Sequence, residues 1–297
     1  IIVFCIMTAV ALVLLSAAPV KADLTGIDCY VQSGILSNSP DYDWWYGCSP
    51  TSAGMIMGYY DIHGYDGLYY TNLVAGGTAE SSTFGAGPYL ANNAIASSGH
   101  IADFYSGGYL AKNDDVDPPF HSFDCLADFM GTSQDSAGNV NGGTAFYYYS
   151  SGAKFYDTDA VFWGVQDIDG MYGIGEYVDY RGYDTGSLYT QATSNVAAAG
   201  FTFANYCAEI DAGRPVMLHV QGHSMFGYGY QGTDTVILHE TWYEGQDTMT
   251  WGGAFAGMTM WGVTVLELAG GVVPIPAAVI LGILGLSAVG IKLRKYA

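Results

Sequence analysis

A thiol at the mouth of a helix is placed for nucleophilic chemistry, and "DYDWWYGCSPTSAGMIMGYYD", residues 41–61, puts Cys48 in that position. Proline is favoured in the first helical turn, where its missing N–H is not needed, so Pro50 sets the predicted helix start at Cys48. There the macrodipole and unpaired N–H groups favour a thiolate and can hold an oxyanion formed beside the sulfur. Such a nucleophile needs a base, and the base needs an orienting partner. Of the six histidines, His63, His100 and His121 lie in loop-like or helix-start contexts with no partner pattern. His219 and His239 fall within predicted strands and read as half-buried structural residues. His223 stands at the start of a predicted strand and Glu240 at the end of the next.

The elements that position these residues are legible in "IDAGRPVMLHVQGHSMFGYGYQGTDTVILHETW", residues 210–242. A helix end capped by Gly213 leads into a strand "PVMLHV", a turn "QGH", a strand "SMFGYGY", a turn "QGTD" and a strand "TVILHE". This is the pattern of an antiparallel meander. In a meander the two ends carrying His223 and Glu240 can be neighbours, so that the carboxylate orients the imidazole. "PTSAGMIMGYY" has small residues early and apolar ones later, as in a buried central helix. A second helix is predicted behind an Ser122 N-cap, with Phe123, Leu126, Ala127 and Met130 on one face and Gly131 as the stop. A third carries Phe203, Tyr206, Cys207 and Ile210 before Gly213. The tyrosine- and glycine-rich sequence between, such as "GEYVDYRGYDTGSLY", reads as strands and loops rimming a cleft. The fold class is α+β, a nucleophile-bearing helix packed on a C-terminal antiparallel sheet.

"GCSPTSAGMIMGYYD", followed downstream by "GRPVMLHVQGHSMFGYGY" and "VILHETW", resembles the papain-like cysteine peptidases, and most closely the branch of peptidase family C-thirty-nine that includes the bacteriocin-leader peptidases. The resemblance implies Cys48 as nucleophile, His223 as base and Glu240 as orienting residue, where the family has Asp or Asn. It also implies that Gln32, the only glutamine before Cys48, completes the oxyanion hole. The expected activity is hydrolysis of peptide or amide bonds through a thioester, on a peptide or protein substrate. The alternative is an inactive homologue whose cleft binds peptide or polysaccharide at the cell surface or in the biofilm matrix. The resemblance does not cover residues 65–195, read as an insertion within a domain spanning 23–268.

The two ends carry different signals. Residues 1–22 form an apolar stretch with Val20 and Ala22 at the positions a signal peptidase reads, which predicts a cleaved secretory signal. The segment "VPIPAAVILGILGLSAVGIKLRKYA" within 269–297 combines prolines, an apolar run and Lys292, Arg294 and Lys295, a marginal membrane helix with its basic end cytoplasmic. It resembles the VPxPA variant of the PEP-CTERM sorting tails of Gram-negative bacteria. That implies inner-membrane anchoring, then processing by an exosortase and release to the surface or exterior; a permanent anchor is the alternative. Between the ends only Lys112, Lys154, Arg181 and Arg214 are basic, against all 28 acidic residues. A field of that sign repels nucleic acid and anionic lipid alike.

The body holds Cys29, Cys48, Cys125 and Cys207, and their pairing stays open: two bridges consume Cys48, one among the others leaves it free. "VQDIDGMYGIGE", residues 165–176, fits the latter part of a calcium loop through Asp167, Asp169 and Glu176, but Val165 occupies its first ligand position. These acids read foremost as solvated surface, and calcium is the only cofactor the sequence suggests. No His/Cys spacing supports zinc.

Overall fold

The computed structural model describes residues 33–74, 90–105 and 121–269. In chain order these form β1 (Ser33–Ile35), α1 (Cys48–His63), α2 (Leu90–Ile95), α3 (Ser98–Phe104), α4 (Leu126–Phe129), β2 (Phe155–Tyr156), α5 (Asp157–Trp163), α6 (Gly170–Tyr180), β3 (Thr185–Ala192), α7 (Phe203–Asp211), β4 (Val216–Val220), β5 (His223–Gln231), β6 (Thr235–His239), β7 (Asp247–Thr250), β8 (Ala254–Phe255) and β9 (Met258–Leu268). The sheet runs β2-β3-β9-β4-β5-β6-β7, with β1 added on β5 and β8 on β9, every pair antiparallel. The α+β class read from the sequence is the class of the fold.

α1 is apolar or small nearly all round, as a helix enclosed by its neighbours must be, and Ser49 through Asp61 are all buried. Met55, Ile56 and Met57 are fully enclosed, each worth about 1.5–3 kcal/mol of transfer free energy. α1 packs on β4 and β5, and the Tyr60 hydroxyl donates to the Leu266 carbonyl of β9 at 2.7 Å. The thiol-bearing helix is thus tied to the middle of the sheet.

The meander forms close to its predicted positions as β4, β5 and β6. Gln221 and Gly222 make the two-residue turn between β4 and β5, and Gly222 has φ 82, a left-handed value that glycine adopts without strain. The pair Val220↔His223 closes that hairpin, so the turn fixes His223 at its tip.

Two elements differ from the sequence reading. α4 is a single turn capped by Cys125, whereas Ser122 lies outside it. "MYGIGEYVDY" forms α6 rather than rim strands, with Met171, Ile174, Tyr177 and Val178 buried at helical spacing. Gly173 explains how so glycine-rich a helix is held: a Cβ there would lie 2.0 Å from the Phe129 carbonyl oxygen, so only glycine permits this approach. β3 lies between β2 and β9, so residues before 195 belong to the same sheet as the meander.

Among the described residues no helix is long and apolar enough to cross a membrane. The predicted signal segment and sorting tail lie outside the described residues.

Candidate active site

Cys48 is the first residue of α1, and the chain leading to it is fastened to the helix's own first turn. The Thr51 hydroxyl donates to the Gly47 carbonyl at 2.7 Å and accepts the Trp45 N–H at 3.0 Å. The sulfur, partly exposed, faces the backbone N–H groups of Ser224 and Ser49 and the Ser49 hydroxyl. Burial pushes the thiol up, and those donors oppose the rise without cancelling it.

His223 lines the same cavity of about 350 Å³, walled by Trp44, Trp242, Trp261 and Phe146. Its ring stacks on Trp242, with centroids 4.0 Å apart and 25° between planes. The partner of the imidazole is a backbone atom: Nε2 lies 2.5 Å from the Glu240 carbonyl oxygen. A carbonyl only accepts, so Nε2 carries the hydrogen and Nδ1 carries the lone pair. The register of β5 on β6, with Phe226 opposite His239, brings residue 240 to that nitrogen. The Glu240 carboxylate turns elsewhere. Its Oε1 accepts the Tyr243 N–H at 2.9 Å, and Oε2 is buried without a hydrogen-bond partner. Burial lowers the His223 pKa to about 4, with the carbonyl opposing the shift, and raises that of Glu240.

The sequence singled out Cys48, His223, Glu240 and Gln32 as site residues. Cys48 and His223 share the cavity, Glu240 meets His223 through its main chain, and Gln32 lies outside the described residues. Its neighbour Ser33 pairs with Gln231, at the opposite end of β5 from His223.

Other residues of the site escaped the sequence reading. Ser224 Oγ is 2.9 Å from Ser49 Oγ and 3.1 Å from His219 Nδ1, and His219 Nε2 is 2.8 Å from Thr264 Oγ1. This chain locks Ser224, whose N–H points at the thiol, to the core. His219, in the cavity wall against Phe146 and Trp261, is held neutral by burial, which lowers its pKa to about 3. The adjacency of Ser224 to His223 was the one available signal. The aromatic walls come from four separate chain segments and gave none.

The calcium candidates diverge. Asp169 is buried and caps α6, accepting the Met171 N–H at 3.1 Å. Asp167 and Glu176 line a different cavity, beside Phe129. Among the described residues the groups of metal-ligating side chains do not include these three. Cys48, Cys125 and Cys207 carry free thiols.

The model of the Peptidase_C39 like family matches residues 25–258. No curated protein and no solved structure matches the chain.

Proposed function

The chain belongs to the Peptidase_C39 like family, and from that premise we propose that it hydrolyses peptide or amide bonds with Cys48 as nucleophile and His223 as base. One observation carries the reading: the thiol at the start of α1 and the imidazole at the start of β5 line one cavity, with Nδ1 left as the basic nitrogen.

Cys48 Sγ attacks the carbonyl carbon while its proton passes to His223 Nδ1. The resting pair is neutral, because burial raises the thiol and lowers the imidazole, so thiolate and imidazolium arise together during attack. The Glu240 carbonyl keeps its hydrogen bond to Nε2–H and stabilises the cation. N–H groups at the start of α1 and that of Ser224 face the sulfur and are the donors available to the oxyanion. The imidazolium then protonates the leaving amine, giving a thioester. Water attacks that thioester, Nδ1 takes its proton, and the acid departs as the thiol reforms.

Export suits this chemistry. The apolar start and basic-ended tail support passage through the inner membrane, with a signal peptidase and an exosortase-type enzyme as processing partners. A second reading, a non-catalytic cleft that binds peptide or polysaccharide, draws support from the neutral pair and the averted carboxylate.

A peptide library incubated with the purified chain and read by mass spectrometry separates the two. Cleavage lost in both Cys48→Ala and His223→Ala is expected. Full cleavage by Cys48→Ala would exclude the mechanism, and binding without cleavage by the unaltered chain would favour the second reading.

A further inference from the structure

Behind the cleft wall, four neighbouring strands each turn one polar side chain onto the same face of the sheet. In sheet order these are Thr190 of β3, Thr264 of β9, His219 of β4 and Ser224 of β5. Thr190 lies directly opposite Thr264, and His219 directly opposite Ser224. Thr264 pairs with Met217, so His219 meets it on the diagonal, two residues along. The side chains touch in series. Thr190 Oγ1 is 3.1 Å from Thr264 Oγ1, which is 2.8 Å from His219 Nε2. His219 Nδ1 is 3.1 Å from Ser224 Oγ, which is 2.9 Å from Ser49 Oγ. The Ser49 hydroxyl in turn faces the Cys48 sulfur. All five residues of the series are buried.

We propose that His219 is a positioning residue for the nucleophile, acting through Ser224 and Ser49 to give the Cys48 thiolate a hydrogen bond. The inference rests on Cys48 as the attacking atom, and a count of protons then fixes every bond in the series. Each hydroxyl donates once, and a neutral imidazole donates from one nitrogen and accepts at the other. Once Cys48 has passed its proton to His223, the sulfur only accepts, so Ser49 donates to it. Ser224 must then donate to Ser49, His219 Nδ1–H to Ser224, Thr264 to Nε2 and Thr190 to Thr264. His219 is therefore the Nδ1–H tautomer, the reverse of His223, whose Nε2 carries the hydrogen. Bonds aligned head to tail polarise one another, which strengthens the last of them at the sulfur. The donors that oppose burial at the thiol are the Ser49 hydroxyl and the N–H groups of Cys48, Ser49 and Ser224. Burial alone acts on His219, between the rings of Phe146 and Trp261.

Nitrogen-15 NMR of the full chain at neutral pH reads the tautomer, with His219 assigned from the signals lost in His219→Asn. A protonated Nδ1 and an unprotonated Nε2 are expected, and a protonated Nε2 overturns the proposal. Iodoacetamide labelling of the Cys48 peptide is then followed against pH by mass spectrometry. Losing a hydrogen bond to a charged atom is worth about tenfold or more, so the labelling midpoint should rise by about one pH unit or more in Ser49→Ala and His219→Phe. His219→Asn, whose amide N–H takes the place of Nδ1–H, should restore it. A role confined to packing leaves the midpoint where it was, so an unmoved midpoint in folded Ser49→Ala overturns the proposal. Should His219→Phe fail to fold, the tautomer and Ser49→Ala still decide. Neither readout needs a substrate: a chain that shows both and cleaves no peptide keeps the relay and loses the peptidase reading, and cleavage with an unmoved midpoint does the reverse.

Discussion

Replacing Glu240 with glutamine decides which atom of that residue orients the imidazole. The His223 Nε2 partner is the main-chain carbonyl of residue 240, which the substitution leaves in place. Glutamine also keeps an oxygen for the Tyr243 N–H that Glu240 Oε1 accepts at 2.9 Å. What disappears is the charge of a buried carboxylate whose Oε2 has no partner and whose pKa burial already raises. Its loss removes a desolvation cost and no hydrogen bond to the base. Turnover of a cleaved peptide should stay within about threefold of the unaltered chain, or about 0.7 kcal/mol in the barrier. If the carboxylate held the imidazole during turnover, as the triad read from sequence supposes, the loss would approach 10⁴-fold, by analogy with the serine-protease triad aspartate. The assay is kcat/KM on one fluorogenic peptide, with circular dichroism confirming that both chains are folded. A folded Glu240→Gln chain slowed by more than about 100-fold would refute the main-chain assignment.

Alkylation of Cys48 is expected to be slow at pH 5.5 and to climb only above the ordinary thiol range of about 8.5, whereas turnover falls as pH drops through about 4 and His223 gains a proton; rapid labelling at pH 5.5 that depends on His223 would show a resting ion pair instead. Asp169 has a folded pKa of about 7 against 3.8 unfolded, so between those values the folded chain holds the extra proton and stability falls as pH rises. Asp169→Asn keeps the helix cap and should add about 1–3 kcal/mol at pH 8 while flattening that slope, measured by denaturant melts at pH 5 and 8. Gly173→Ala should destabilise the fold by about 3 kcal/mol or more, because its Cβ meets the Phe129 carbonyl rather than a movable side chain; an unchanged melting temperature would contradict this packing.

The helix start at Cys48 and the β4–β5–β6 meander were readable because local chemistry dictates them: a proline in the first turn, glycine at tight turns, alternating apolar residues. α6 was readable in principle, since Met171, Ile174 and Tyr177 recur every three residues, but its glycines and tyrosines lower helix propensity and concealed it. The short α4 follows from where Asp128 is needed. Its Oδ2 accepts from the N–H groups of Asp124 and Cys125 and braces His121, so the helix begins at that carboxylate rather than at Ser122.

The sequence by itself singled out Cys48 and His223, the proposed nucleophile and base, and the order of elements that bring them into one cavity, because each is written in a few consecutive residues. Only the tertiary structure decided that residue 240 meets the imidazole through its carbonyl, that Ser224 aims an N–H at the thiol, and that His219 links Ser224 to Thr264. Those outcomes depend on strand register, on which way a buried side chain turns, and on packing between segments distant along the chain, and none of these leaves a local pattern.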